Sequence, residues 1–509
     1  MTEADLPAPR WVKLLDQDRC IGCHACTTAC KSENEVPVGV TRTYVKSVDV
    51  GVFPEGRRVF QVTRCNQCAD APCVAACPTE AMYRREDGIV DFDKSICIGC
   101  KACMAACPYD AIFINPDDHS AEKCNMCAHR IDMGLEPACV TVCPTEAILV
   151  GDMNDPASPV SRAIGRGAVQ VRRPEKETRP GVFYSGAHQA TLDPLAARRP
   201  DGGLFAWASQ GPAGAQAVIS GHPGRPTSSA AALLSYDVPH QAPWGWRVSL
   251  YTWTKSIAAG GFAVPAALAL AGSLGWDNPA ARWAAPVLAL GFLALTGALL
   301  VADLKHPARF YLIFTRRHWR SWLVRGSFVL GAYSAVVALY LLAALADWTG
   351  LRQVLAGIGL PLAAATACYT AYLFAQAKAR DLWQSPLLAP HLAVQAALAG
   401  AAAILPLLAW LSPGRAVTAA EAVLAVAAGV HVALVATEVT LPHVTAHAHL
   451  AASEMIRGRY ARFFWPGLAA VTVGTAAPWI GLAAVPFALV GLLAHEHAYV
   501  QAGQSVPLA

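Results

Sequence analysis

Charge is scarce in this sequence. Only 15% of its 509 residues are Asp, Glu, Lys or Arg, and the formal net charge is +4. No basic stripe with interleaved aromatics occurs, which excludes nucleic acid as an expected partner. Nucleotide-binding glycine loops and a Ser/His/Asp arrangement are also missing. The opening stretch M-T-E-A-D-L-P-A-P is acidic and broken by Pro7 and Pro9. It has neither a basic segment leading into an apolar core nor a twin-arginine signal, so the part that follows is expected to mature in the cytoplasm. Two further absences divide the chain. Long apolar runs are missing before about residue 250, and beyond about residue 150 cysteine is missing except for Cys368, which reads as a small apolar core residue. The first part is expected to be soluble and the second to lie in the membrane.

Sixteen of the seventeen cysteines are therefore crowded into the first 150 residues. Cys97, Cys100, Cys103 and Cys107, followed by Pro108, have the spacing C-x2-C-x2-C-x3-C-P. This is the bacterial ferredoxin signature for a [4Fe-4S] cluster. Three thiolates of one tight loop cap three irons, and the fourth points away to complete a neighbouring cluster. Cys20, Cys23, Cys26 and Cys30 repeat the spacing without the final proline. In Cys65, Cys68, Cys73 and Cys77 one gap opens to four residues, and in Cys124, Cys127, Cys139 and Cys143 one opens to eleven. Four quartets ask for four [4Fe-4S] clusters. Structural zinc would not need the fourth cysteine at x3, and a disulfide framework would not need C-x2-C four times. An internal repeat accompanies them, C-P-T-E-A at Cys77 and Cys143 and C-P-Y-D-A at Cys107, each feeding a short apolar strand such as 147–150.

The expected fold class is an α+β ferredoxin-like cluster-binding domain of tandem two-cluster repeats over residues 1–197, followed by an all-α polytopic membrane bundle over 244–509. Residues 198–243, rich in Gly, Pro and Ala, read as a linker, although the run Tyr236–Trp246 could dock on a domain surface. Apolar segments near 249–274, 282–303, 322–346, 353–377, 389–411, 417–440, 463–480 and 482–501 give eight spans, the last two separated at Pro478 and Gly481. Twelve Lys and Arg, including Arg247, Arg309 and Arg459, fall on the side of the linker and the carboxyl terminus. Only Arg282, Arg352 and Arg415 fall on the other. The positive-inside rule makes the first side cytoplasmic, and the whole a multi-pass protein of the cytoplasmic membrane with its cluster domain facing the cytoplasm.

Residues 64–80, the run through Cys107, residues 137–156 and E-K-E-T-R-P-G-V-F-Y at 175–184 resemble the four-cluster iron–sulfur subunits of molybdopterin enzymes such as dimethyl sulfoxide and polysulfide reductases. That resemblance implies a cluster pairing that spacing leaves open. One cluster takes Cys20, Cys23, Cys26 and Cys143, and the next takes Cys30, Cys124, Cys127 and Cys139. A third takes Cys65, Cys68, Cys73 and Cys107, and the last takes Cys77, Cys97, Cys100 and Cys103. The motifs Y-T-W-T-K-S-I-A-A-G at 251–260, D-L-K-H-P-A-R-F at 303–310, R-S-W-L-V-R-G at 320–326 and A-Y-V-Q-A-G-Q at 498–504 resemble the NrfD/polysulfide reductase quinone-interacting anchors. The two subunits look fused here.

Together the resemblances imply an electron-transfer and anchor component that carries electrons between menaquinone or ubiquinone and a separate molybdopterin-containing subunit. A ferredoxin:quinone oxidoreductase and a cluster-driven ion translocator are the alternatives. Ionisable residues in spans are expensive and so are functional candidates. Lys255, Asp303, Arg309 and Glu438 are expected near the cytoplasmic ends of spans one, two and six and are taken as the quinone site, with snorkelling as the competing role for Lys255 and Arg309. His431 and Glu438 share a helix face. No haem is expected, because His431 is the one histidine deep in a span while His391, His495 and His497 count as nearer the ends.

Overall fold

The computed structural model describes residues 8–52, 54–199 and 231–509. The chain divides into two compact units, one running to Pro243 and the other from Trp244, with Ala377–Ala379 and Pro507–Ala509 belonging to the first.

The first unit is built on cysteine loops joined by short strands. Trp11–Asp16 lies at the centre of a four-stranded sheet, antiparallel to Ile148–Asp152 and parallel to Val182–Ser185, which in turn pairs with Val169–Gln170. It is buried on both faces, Val12 and Leu14 on one and Leu15 on the other. Two small hairpins, Met82–Arg84 with Val90–Phe92 and Ile112–Ile114 with Ala121–Lys123, follow the cysteine-proline pairs at Cys77 and Cys107. With Ile148–Asp152 they make three equivalent strands, each starting five residues after its cysteine. The sequence repeat is thus a structural one. Apolar burial around the hairpins includes Cys73, Cys77, Cys97, Cys103 and Cys107 themselves, so cysteine takes the place of aliphatic side chains in a unit with few of them.

The third sheet moves the boundary of the expected linker. Thr43–Val50 pairs with Arg57–Arg64 and, on its other edge, with Ala232–Tyr236. The stretch A-L-L-S-Y buries Ala232 and Leu234, so 232–236 is a strand of the first unit and not tether. The composition of the surrounding stretch hid its period-two pattern. Residues 200–230 of the linker, with Trp207, lie outside the described residues.

The second unit is helical. Six segments are long and apolar enough to cross a membrane: Ala280–Asp303, Trp322–Leu345, Thr349–Gln376, Leu388–Leu411, Arg415–Thr440 and Ala461–Gly503. In four of them a third or less of the most apolar stretch is buried, and Leu339, Leu342, Val426 and Val490 point outward. A helix surface of this kind suits lipid, not water. The segment Ala461–Gly503 is not one rod. It breaks into Ala461–Val473 and Ala484–Gly503 around Gly481, at φ 54°. The two pieces pack so closely that a Cβ on Gly491 would come within 2.7 Å of the Gly467 carbonyl oxygen. Trp246–Leu270 is a further 25-residue helix, buried along most of its length. Leu388–Leu411 is the most buried of the six. It crosses Trp246–Leu270 backbone to backbone, and a Cβ on Gly400 would lie 2.0 Å from the Gly260 carbonyl carbon.

Candidate functional site

The cysteine loops share a backbone geometry. Between Cys20 and Cys26, Gly22 and His24 have φ of 70° and 60°. At the same places between Cys97 and Cys103, Gly99 and Lys101 have 67° and 63°. Gln67 and Met126 take the left-handed conformation in the other two loops. Such residues curl the chain so that successive thiols face one centre. After the cysteine-proline pairs, Glu80, Asp110 and Glu146 are also left-handed. The chain therefore turns back, and backbone N–H groups meet sulfur: Met82 N donates to Cys77 Sγ at 3.3 Å and Ala147 N to Cys143 Sγ at 3.3 Å. Ala121 N donates to Cys97 Sγ at 3.4 Å.

The thiols of distant loops are brought together. Cys143 lies within electrostatic reach of Cys20, and Cys124, Cys127 and Cys139 lie within reach of Cys30. Cys73 neighbours Cys65, Cys68 and Cys107, while Cys103 neighbours Cys77, Cys97 and Cys100. Cys77, Cys97, Cys100 and Cys103 line one cavity with Met82, Phe92 and Ile98. No disulfide joins any of the cysteines.

Electrostatics favours an anionic group among these thiols. Burial, reinforced by neighbouring thiols, pushes Cys30 and Cys68 up to about 12, so as free side chains they would be neutral. Iron coordinates the thiolate and reverses that preference. Three buried cations stand beside them: Lys13, Arg64 and Lys123 are each no more than 1% exposed. All three stand near thiols, and Lys123 also donates to the carbonyls of Val90 and Cys124. Lys13 Nζ and Arg64 Nη1 donate to Cys139 Sγ at 3.5 and 3.2 Å, and Lys123 lies beside Cys65 and Cys73. Burial alone would raise the Cys139 thiol, but Lys13 and Arg64 outweigh it and hold it down at about 7. Arg64 Nε and Nη2 have no hydrogen-bond partner among the described residues. A guanidinium left so poorly paired is costly unless a negative group stands against it, and the donor set fits iron–sulfur clusters.

The helical unit has its own polar interior. Lys255 does not snorkel. It lies well inside Trp246–Leu270, fully buried, with Nζ donating to Ala367 O at 2.8 Å and Thr370 Oγ1 at 2.6 Å and facing the Tyr369 ring. Its carboxylate neighbour is Glu496, which accepts from Thr252 Oγ1. Tyr251, one turn before Lys255, lies among Asp303, Glu496 and Thr370. Glu438 is reached by the hydroxyl of Tyr499. Thr252, His391, Gln395, His495, Glu496 and Tyr499 line a cavity whose wall does not include Lys255, Asp303 or Glu438. Of the four expected residues, Asp303 lies near Tyr251, Lys255 shares Thr370 with it, and Glu438 lies beside Tyr499, whose hydroxyl donates to Leu382 O. Arg309 stands on the short turn Pro307–Arg309 beyond the helix that ends at Asp303.

Sequence reasoning missed Glu496 and Tyr251, although H-E-H at 495–497 in an apolar span was a visible signal. It placed His431 deep, as found, but set His391 and His495 apart from it near the ends. His391 Nε2 lies 2.9 Å from His431 Nδ1, and the His495 ring is 4.8 Å from that of His431. Counting residues from helix ends assumed that all ends lie at one level. His391 stands in the first turn of Leu388–Leu411, yet it meets His431, which stands well inside Arg415–Thr440.

Residues 11–32 match the 4Fe-4S binding domain, 57–153 the 4Fe-4S dicluster domain, and 235–502 Polysulphide reductase, NrfD. Among curated relatives, a tetrathionate reductase subunit of Salmonella typhimurium is 43% identical over 196 residues, covering 38% of this chain and 78% of that protein. A polysulfide reductase chain of Wolinella succinogenes is 41% identical over 179 residues, covering 35% and 94%. A putative dimethyl sulfoxide reductase iron–sulfur subunit of Halobacterium salinarum is 38% identical over 201 residues, covering 34% and 77%. With cysteine loops shared with these reductase components and a helical unit matched along nearly its whole length, this protein belongs to the polysulphide reductase NrfD family, its anchor fused to a reductase-type iron–sulfur subunit.

Proposed function

We propose that the chain is the electron-carrying and membrane-anchoring component of a reductase complex, moving electrons between the quinone pool and a separate molybdopterin-containing catalytic subunit. The observation that carries this reading is the pairing, on one chain, of four interleaved cysteine groups with an NrfD-type bundle whose buried cavity is lined by ionisable groups. The sixteen cysteines hold four [4Fe-4S] clusters in the sets Cys20/Cys23/Cys26/Cys143, Cys30/Cys124/Cys127/Cys139, Cys65/Cys68/Cys73/Cys107 and Cys77/Cys97/Cys100/Cys103. When bound, such clusters supply one-electron carriers. The protein's part is to keep positive charge at Lys13, Arg64 and Lys123 and amide donors at Met82, Ala121 and Ala147 against them.

Quinone is substrate, and its reduction takes up two electrons and two protons. Lys255 and Tyr251 orient a carbonyl oxygen of the head group, Arg309 adds a cation at the rim, and Asp303, Glu438 and Glu496 hold and pass protons. The bundle crosses the membrane eight times, with Trp246–Leu270 and the two arms around Gly481 each counted as spans. The cluster domain faces the cytoplasm of the inner membrane, as the twelve-to-three bias of basic residues favours.

The test is quinol-driven reduction of the clusters in the purified chain. The wild type should hold about sixteen iron atoms and be reduced by both dithionite and quinol. Asp303→Asn and Glu438→Gln should keep the iron and the dithionite response and lose most of the quinol response. Unchanged quinol reduction in both variants removes Asp303 and Glu438 from the quinone site. Iron near twelve atoms would leave one quartet without its cluster.

A further inference from the structure

Three histidines from three different helices meet in the middle of the helical unit, and neither the cluster chemistry nor the quinone reading uses them as a set. His391 comes from Leu388–Leu411, His431 from Arg415–Thr440 and His495 from Ala484–Gly503. All three are at most 4% exposed. One candidate ligand nitrogen from each lies within 4.8 Å of the others, the closest pair being His391 Nε2 and His431 Nδ1 at 2.9 Å.

Hydrogen bonding does not account for the trio. Three neutral rings bring six nitrogens, three donors and three acceptors. His495 Nδ1 has no hydrogen-bond partner among the described residues, and neither has His431 Nε2, the nitrogen of that ring turned away from His391. A buried polar nitrogen left unmet is destabilising. A carboxylate stands next to the rings. Glu496 follows His495 in the chain, lines the same cavity as His391 and His495, and leaves Oε1 without a hydrogen-bond partner among the described residues.

We propose that His391, His431 and His495 form a mononuclear site for an imidazole-preferring first-row transition ion of the zinc class, with Glu496 supplying the neighbouring negative charge. Three neutral imidazoles with one further position is a ligand set such ions favour. Tetrahedral zinc bonds to nitrogen at about 2.0–2.1 Å, which spaces the ligand nitrogens about 3.3 Å apart. The 2.9 Å pair needs to open by a few tenths of an ångström, and nitrogens as far apart as 4.8 Å need to close by about 1.5 Å. Haem does not fit here, because its axial nitrogens stand on opposite faces of the ring, about 4 Å apart with the macrocycle between them. A divalent ion within a bundle needs compensating charge, and Glu496 is placed to give it. The ion ties together three helices that are distant in sequence. The site shares a wall with the proposed quinone cavity but does not depend on that reading, since its occupancy is measured directly.

The experiment uses the full chain purified in detergent with its clusters intact, freed of loose metal by a mild chelator and then given one equivalent of Co2+ or Zn2+. The expected result is one ion per chain retained through gel filtration with the iron content unchanged. The Co2+ form should show visible d–d bands of four-coordinate cobalt without the sulfur-to-cobalt charge-transfer bands that binding at cluster cysteines would give. His431→Gln and His495→Gln, made separately, should each weaken retention at least 100-fold while keeping the cluster absorbance and elution volume. Wild type that retains no ion, thiolate bands in the cobalt spectrum, or full retention in both variants overturns the proposal and leaves the trio a hydrogen-bonded relay. The wild-type cobalt spectrum decides the matter even where a variant fails to fold.

Discussion

Arg64 offers the sharpest test of the electrostatics around the cysteines. Its guanidinium is buried and donates to Cys139 Sγ at 3.2 Å, so Arg64→Met removes one full charge and one N–H···S bond beside the cluster that takes Cys139. An electron added there spreads over the whole cubane, which places it farther from the charge than the sulfur itself. At an effective dielectric of about 20, a unit charge about 6 Å away is worth about 2.8 kcal/mol, or ~120 mV for a one-electron couple at 59 mV per tenfold change. The sign follows from the charge. Arg64 favours the reduced, more negative state, and its loss should lower the potential of that one cluster by ~120 mV. Redox titration followed by electron paramagnetic resonance measures this signal by signal, with iron content confirming that the quartet is filled. Arg64→Lys keeps the charge and should recover most of the shift. A shift below about 30 mV in Arg64→Met with full iron, or equal shifts in both variants, would refute the reasoning.

Two further outcomes follow from packing and ionisation. Gly400→Ala drives a Cβ into the Gly260 backbone at 2.0 Å, whereas nothing lies within 4 Å of a Cβ on Gly429. The first should cost about 3 kcal/mol or more through overpacking and Gly429→Ala should gain up to about 1 kcal/mol in helix propensity, read from melting midpoints in detergent, and equal midpoints would refute the close crossing. In the first unit, His240 Nδ1 meets Asp110 at 2.7 Å and Nε2 meets Asp237 at 3.2 Å. Although burial works against its charge, the two carboxylates raise the imidazole to about 10. A group raised in the folded state stabilises fully below its unfolded value of about 6.5 and loses that contribution as pH climbs to about 10. The wild type should therefore exceed His240→Gln by about 3–5 kcal/mol at pH 6, with the gap closing toward pH 10. A gap independent of pH, measured by thermal loss of cluster absorbance, would refute the assignment.

The sequence by itself determined the cluster chemistry, because cysteine spacing within a loop is a local matter of a few backbone angles. Gly22 with His24 and Gly99 with Lys101 repeat the same left-handed turns in loops of the same spelling. It determined the division into a cysteine-rich unit and an apolar helical one, since burial without water demands long apolar helices. The break at Gly481 was legible for the same reason, a residue that permits positive φ standing after Pro478. Only the tertiary structure decided which groups meet across elements. Arg64 comes from a strand and Cys139 from a short helix, 75 residues apart, and no local pattern marks them as partners. The strand at 232–236 was hidden because its pairing edge is supplied by Thr43–Val50, far away in sequence. Lys255, read as an interfacial residue, turns inward because Thr370 and the Ala367 carbonyl on another helix receive its ammonium group. His431 was read as deep, as it is, but His391 and His495 were placed near the ends, because residue number along one helix carries no information about the level of its neighbours.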